Sequence, residues 1–362
     1  MAAVARNRWV AFLMRTERAL EHRVAKVLRD RRRWQVTVVP YVAHGTSTRC
    51  HVRGRVLVRR REPSQRASPL GTLLLAVSRY ASVEVPDERV VVEVADRSYA
   101  LVSGPEGYLE ATVELPGLSP GWHPVYYRLG GSDPVASPVT GQLLVVGPDA
   151  RLGIVSDLDD TVIQTGLTRL VDALRTTLLV ADANRVAVRG AADLYRELVA
   201  ADDGRAPVCY VSAGAWNLHA MLVGFLERGG FPAGPLLLTD WGPTAQWAFR
   251  EDSVAFKTRT ILALFTEHAH LSWLLVGDSG QDDAETYAAV VRAHPHRVRA
   301  VYIRDVPPTS NRRTALVNEL AAEVRSLGVP MLLIRDSVEA AEHARSLGLL
   351  DADAVRRVRL GR

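Results

Sequence analysis

The sequence predicts a small antiparallel β-sandwich followed by an α/β unit in which helices cover both faces of a parallel sheet, with an amphipathic helix ahead of both. Three observations carry that prediction. A chain of 362 residues with 48% hydrophobic content is longer than one domain usually runs and can bury two cores. From Val36 to Val146 apolar residues alternate with polar ones, as where Leu109, Ala111, Val113 and Leu115 interleave with Glu110, Thr112 and Glu114. Beyond Gly147-Pro148-Asp149 the pattern changes to buried strand runs separated by helical ones. These changes divide the chain into residues 1–34, 35–147 and 148–362.

Along the first division, Leu13, Leu20, Val24, Val27 and Leu28 recur at helical spacing between arginines, which predicts a helix over residues 9–29. Turn clusters such as Ser103-Gly104-Pro105-Glu106-Gly107 and Leu118-Ser119-Pro120-Gly121 then cut the alternating region into the short strands of a sandwich, and Arg59 to Pro69 reads as a loop. The last division offers strands at 152–156, 208–212, 235–239, 271–277, 298–303 and 330–334, and helices that include 191–201, 256–267 and 315–327. Strands alternating with helices make a parallel sheet, and such sheets bind ligands at the carboxyl ends of their strands. Chemistry is therefore expected just after each strand run.

Charge and cysteine usage narrow the function. The net charge is +5, yet residues 1 to 35 alone hold ten basic side chains against three acidic ones, a surplus larger than that of the whole chain. The remainder is slightly acidic, which argues against nucleic acid as a partner of the main body. Cys50 and Cys209 follow no CxxC spacing, so neither a disulfide framework nor a thiolate zinc site is expected, and a reducing cytoplasm fits. The N-terminal stretch lacks the unbroken apolar core of a signal peptide, and no apolar run is long enough for a membrane-spanning helix. Among the 45 lysine and arginine residues only Lys26 and Lys257 are lysine, so a lysine in this chain is the exception.

Asp157, Asp159 and Asp160 follow the first strand run of the last division, Ser212 closes the second, and Asp278 follows the fourth with Asp282 and Asp283 close behind. Carboxylates meeting at one sheet edge repel one another unless some are protonated or a cation lies between them. Oxygen donors without histidine or cysteine suit Mg2+, which takes carboxylates, water and substrate phosphate, so a metal-assisted phosphoryl site is expected. Asp157 and Asp159, two apart on extended chain, face the same way, and one can attack while the other handles protons. A hydroxyl at Ser212 and an ammonium at Lys257 suit phosphate oxygens, and a compact ammonium fits between carboxylate and phosphate where a planar guanidinium would not. Two other chemistries fare worse. A GxSxG elbow around Ser212 would need glycine where the chain has Tyr210, and His268 with His270 or His294 with His296 lack the spacing of a helical zinc pair. Helix capping explains any one aspartate after a strand but not the ordered set.

A hydrophobic strand into Asp157-Leu158-Asp159-Asp160-Thr161, then YVSAG, the lone Lys257 and LLVGDSGQDD resemble the haloacid dehalogenase superfamily. More narrowly, GDSGQDDAETY with the later VYIRDV, the earlier DWG at 240–242 and a β-rich region ahead of them resemble the actin-patch-associated phosphatidate phosphatase family. That resemblance implies a Rossmann-like sheet and a role for each matching residue. Asp157 would be the nucleophile, Asp159 the general acid and base, and Thr161 a support for the loop. Asp157, the Asp159 carbonyl and Asp278 would hold Mg2+, Ser212 and Lys257 would bind the phosphoryl group, and the family's spacing favours Asp283 over Asp282 for the last acidic role. The chain departs from the family at Gly214-Ala215-Trp216, where a serine-proline-tryptophan run is usual, and at Gln281 and Ala284, where glutamate and proline are usual.

The expectation is thus a cytoplasmic Mg2+-dependent phosphatase of phosphatidate or a related lipid phosphate. Its rivals are a phosphatase of soluble sugar or nucleotide phosphates and a catalytically weak membrane-associated adaptor whose sandwich binds an unknown partner. Leu167, Leu170, Val171, Leu174, Leu178 and Leu179 form an apolar face expected to pack on the core. The basic helix is expected either to pack on the sandwich with its charges solvated or to make peripheral contact with an anionic membrane, where each basic residue contributes about 1 kcal/mol.

Overall fold

The computed structural model describes residues 34–60, 83–131, 137–158, 161–164, 186–239, 253–306 and 311–361. The helix expected over 9–29, the apolar face at 167–179, the DWG motif, most of the loop from 59 to 69, and Asp159 and Asp160 lie outside the described residues. Two compact units divide between Val145 and Val146.

In the first unit, period-two alternation becomes β1 (Trp34–Pro40), β2 (Ala43–Gly45), β3 (Arg49–Arg60), β4 (Val83–Glu84), β5 (Arg89–Val94), β6 (Arg97–Val102), β7 (Tyr108–Glu114), β8 (Gly121–Leu129) and β9 (Val139–Val145). Val90, Val92 and Val94 of β5 are buried, while Arg89, Val91 and Glu93 between them face outward. The strands follow the order β1-β3-β2-β9-β8-β5-β6, with β4 and β7 also joined to β3. Val38, Val52, Val56, Leu109 and Val113 from one end of this path share a single core with Val90, Val92, Val125 and Leu143 from the other, so the sheet folds over on itself. The Tyr127 hydroxyl fastens the two layers by donating to the Arg53 carbonyl at 3.1 Å. The expected all-antiparallel arrangement needs one correction, because β2 pairs with β9 in parallel. Most of the unit lies between those two strands in the chain, and their meeting is a crossover rather than a hairpin.

The second unit supplies β10 (Leu152–Ser156), the short β11 (Ile163–Gln164) and β12 (Val186–Ala187), α1 (Ala191–Ala201), β13 (Val208–Ala215), α2 (His219–Arg228), β14 (Leu236–Thr239), α3 (Ser253–Glu267) and β15 (Ser272–Asp278). It continues with α4 (Asp283–Ala293), β16 (Val298–Arg304), α5 (Asn311–Ser326), β17 (Met331–Ile334), α6 (Ser337–Ser346) and α7 (Ala352–Leu360). All five residues of β10 are buried, the mark of a strand covered on both faces. The six-stranded sheet runs β14-β13-β10-β15-β16-β17, and every neighbouring pair is parallel. The chain therefore starts in the middle, winds out to one edge, returns and winds out to the other. Right-handed crossovers in opposite directions put α1 and α4 on opposite faces. The helices accordingly pack in two groups, α1 with α6 and α7, and α3 with α4 and α5. Gly153 of β10 lets the Trp273 indole of β15 lie against the backbone, since a Cβ there would come within 2.5 Å of the ring. Cys50 and Cys209 are both buried. Among the described residues no helix is long and apolar enough to cross a membrane.

Candidate active site

Where a doubly wound sheet reverses direction, the loops leaving two adjacent strands diverge and open a crevice. Here the reversal lies between β10 and β15, paired in register from Leu152 with Ser272 to Ser156 with Val276. Asp157 follows at the end of β10, its N–H donating to the Val276 carbonyl at 2.9 Å, and Asp278 closes β15. Both aspartates are fully buried. Behind Asp157, Ser156 Oγ donates to the Asp157 carbonyl at 2.6 Å and accepts from the buried Tyr195 hydroxyl at 2.6 Å, which fixes the backbone that carries the carboxylate.

Lys257 reaches the same crevice from α3. The buried residues of that helix are Phe256, Lys257, Ile261, Leu264 and Phe265, so the lysine stands first in an apolar stripe at i, i+4, i+7 and i+8. Its stem is buried with the stripe, and its Nζ donates to Asp157 Oδ1 and to Asp283 Oδ1, each at 2.6 Å. Burial alone would pull its pKa down, but Asp157 and Asp283 overcome that and hold the ammonium charged well above its ordinary range.

Asp283 opens α4 and bridges two partners: Oδ1 takes Lys257, while Oδ2 accepts the Asp278 N–H at 3.0 Å. This approach needs Gly277, because a Cβ there would lie 2.6 Å from Asp283 Oδ2. Asp278 turns Oδ1 toward the Gly280 and Gln281 N–H groups at 2.6 and 3.0 Å. Its Oδ2 is buried with no hydrogen-bond partner among the described residues. Burial raises the Asp278 pKa, with Asp283 and Asp157 adding to the effect and Lys257 and the Gly280 N–H opposing it.

Oxygens of Asp157, Asp278 and Asp283 all lie within 4.8 Å of one another. At that separation, with an effective dielectric of about 20, each pair of carboxylates repels by roughly 3–4 kcal/mol. One ammonium against three carboxylates leaves a formal charge that a divalent cation balances, and the unpartnered Asp278 oxygen is a hard donor for it. The residues present therefore fit an Mg2+ ion.

Of the six residues singled out for the site, the structure gathers Asp157, Lys257, Asp278 and Asp283, while Asp159 lies outside the described residues. Ser212 stands on the adjacent strand at the same edge, since Tyr210 pairs with Ser156. It is buried, and its Oγ accepts the Gly214 N–H at 3.0 Å. Pairing with β14 skips from Ser212 to Ala215, a bulge held by Thr239, whose Oγ1 donates to the Ala213 and Gly214 carbonyls at 2.9 and 3.1 Å. Between the adjacent acids, Asp283 is buried and Asp282 exposed. Thr161 is buried in the turn where the Val162 N–H donates to the Leu158 carbonyl. The Ser279 Oγ accepts the Val306 N–H at 3.0 Å and tethers the loop to the end of β16. Sequence reasoning passed over Tyr195, which bonds to the Ser156 hydroxyl, Thr239, which bonds to two carbonyls, and Arg313, which bonds to two carbonyls and a carboxylate; none of them follows a motif.

A doubly wound α/β unit with a carboxylate–lysine cluster at its switch point defines the class. Within it, residues 152–305, from β10 to just past β16, match the family model described as phosphatidate phosphatase APP1, catalytic domain. Phosphatidate phosphatase APP1 of Saccharomyces cerevisiae is 25% identical over 194 residues, 52% of this chain and 32% of that protein. An uncharacterized protein of Schizosaccharomyces pombe is 28% identical over 156 residues, 43% of this chain and 25% of that protein. The chain thus resembles the APP1 catalytic-domain family, and its match spans about a quarter to a third of the length of these relatives. Among solved structures, a carbohydrate acetylesterase from Xanthomonas citri aligns over 81% of this chain and 75% of its own with 13% identity and a TM-score of 0.28, a likeness too low to bear on fold or chemistry.

Proposed function

We propose that the second unit is a Mg2+-dependent phosphomonoesterase of the haloacid dehalogenase type, acting on phosphatidate or a related lipid phosphate to give diacylglycerol and phosphate. The observation that carries this reading is the buried bridge from Asp157 through Lys257 to Asp283 beside Asp278 at the switch point. A structural ion pair has no need of a third buried carboxylate with an oxygen left unpartnered; a phosphoryl site has.

In the proposed reaction, Asp157, Asp278 and the Asp159 carbonyl would hold Mg2+, which would supply positive charge against that of the phosphate. Lys257 donates to Asp157 and, with the Ser212 hydroxyl, binds the phosphoryl oxygens. An Asp157 oxygen attacks phosphorus, the bond from phosphorus to the ester oxygen breaks, and Asp159 protonates the departing alcohol. Asp159 then takes a proton from water, which attacks the aspartyl phosphate and releases phosphate and the free carboxylate. Asp283 acts by holding Lys257 and the Asp278 backbone in place. Support for the lipid substrate comes from the family match over the residues that build this site. The basic stretch at residues 1 to 35 adds a peripheral contact with anionic membrane at the cytoplasmic face.

The test is phosphate release from short-chain phosphatidate, a sugar phosphate and an aryl phosphate, with Mg2+ or chelator, for the wild type and Asp157→Asn. The expected result is Mg2+-dependent release from phosphatidate that falls at least about 10³-fold in the variant. Activity surviving in chelator or in the variant overturns the mechanism, and activity on the sugar phosphate alone overturns the lipid assignment.

A further inference from the structure

Asp278 presents its free oxygen because its other oxygen is held, and the groups that hold it belong to a loop with no regular structure of its own, residues 279–282. What fixes that loop comes from the first turn of α5. The Arg313 guanidinium donates through Nε to the Ser279 carbonyl at 2.8 Å, through one terminal nitrogen to the Gln281 carbonyl, and through both terminal nitrogens to the Glu285 carboxylate. A planar fork with five donors suits four acceptors spread over seven residues, and an ammonium would reach only some of them. The side chain is largely buried, so solvent screens these contacts little.

The peptide group between Ser279 and Gly280 is gripped at both ends. Its oxygen accepts from Arg313 and its N–H donates to Asp278 Oδ1 at 2.6 Å. A positive charge on the oxygen side polarises that peptide and strengthens its N–H as a donor to the carboxylate. The second grip, on the Gln281 carbonyl, holds the strand of loop whose N–H makes the other bond to Asp278 Oδ1. The geometry points to Arg313 as a positioning residue for the cation site: through one polarised peptide it orients Asp278 so that Oδ2 faces Asp157 and Asp283, and so sets the affinity for Mg2+. This rests on the metal-dependent reading above. Partners that orient a ligating side chain typically contribute 10–100-fold to metal affinity.

Isothermal titration of the full chain with Mg2+ alone, paired with the Mg2+-induced rise in melting temperature, reads the effect without turnover. Arg313→Gln is expected to weaken Mg2+ binding about 10–100-fold and to shrink the melting shift, with Arg313→Lys between it and the wild type. Arg292→Gln is the control, because Arg292 and Glu323 form an exposed pair joining the same two helices away from the loop. It should lower stability slightly and leave Mg2+ affinity unchanged, which separates helix packing from loop positioning. Arg313→Gln binding Mg2+ as the wild type does, or Arg292→Gln weakening it equally, overturns the assignment. If Arg313→Gln does not fold, Arg313→Lys decides: a severalfold loss supports the role and no loss overturns it. A wild type that binds no Mg2+ defeats the metal-dependent reading itself, which is a different result.

Discussion

Lys257 sits between two buried carboxylates, and removing it should expose how the cluster is balanced. Lys257→Met keeps the apolar stem in the α3 stripe and deletes only the ammonium, leaving Asp157 and Asp283 without the group that each meets at 2.6 Å. Breaking a buried ion pair by deleting one partner costs about 3–5 kcal/mol, because the charge left behind stays desolvated. Asp283→Asn removes the second carboxylate while its amide oxygen can still accept the Asp278 N–H. If the loss comes from stranded charge, the double variant is more stable than the sum of the singles predicts, by roughly 2–3 kcal/mol. Urea unfolding in chelator, so that no cation replaces the ammonium, followed by the fluorescence of buried Trp273, measures all four proteins. Activity should not follow stability, since both the single and the double variant lack the ammonium proposed to bind phosphate. Additive stabilities refute the reasoning, because they would mean that Lys257 acts on each carboxylate independently or on neither.

Gly277→Ala should lower phosphatase activity at least about 10²-fold with only modest loss of stability, since its Cβ displaces Asp283 and with it Lys257; steady-state kinetics beside a melting curve checks this. His219 is buried, and burial pushes its pKa down to about 3. The unfolded chain takes up a proton there near pH 6.5 while the folded chain does not, so this residue's contribution to stability is lost as pH falls from 6.5 toward 3. At pH 5 the loss is about 2 kcal/mol relative to pH 7.5. Denaturant titrations at the two pH values should show a steeper loss in the wild type than in His219→Gln, and equal losses count against it.

The parallel sheet was readable because burial on both faces leaves continuous apolar runs: the run at 152–156 and the helical pattern at 191–201 coincide with β10 and α1. Strand ends then pointed to Asp157 and Asp278. Lys257 could be picked out by composition, in a chain that otherwise writes its positive charges as arginine. Other features left no such trace. The choice of Asp283 over Asp282 rested on the family resemblance alone, because the two are neighbours in the chain and only the start of α4 turns one inward and leaves the other in solvent. Arg313 is one arginine among many, and four of its bonds end on carbonyl or carboxylate oxygens that local pattern does not reveal. The parallel pairing of β2 rests on three residues and a partner a hundred positions away, beyond the reach of any window of alternation.

The switch point also dictates when the site can come into being. Lys257 and Asp157 are separated by 100 residues, and β15 must add to β10 before Asp278 stands beside either of them. A chain growing from its N-terminus therefore carries Asp157 long before its counter-charge exists, and local helices and turns assemble none of the cluster. Assembly of the cluster is thus a late, all-or-none outcome of closing the centre of the sheet. A fragment ending anywhere before β15 should carry Asp157 and lack the proposed activity, and supplying the remainder as a second fragment should bring that activity back only at the rate at which the two strands find each other.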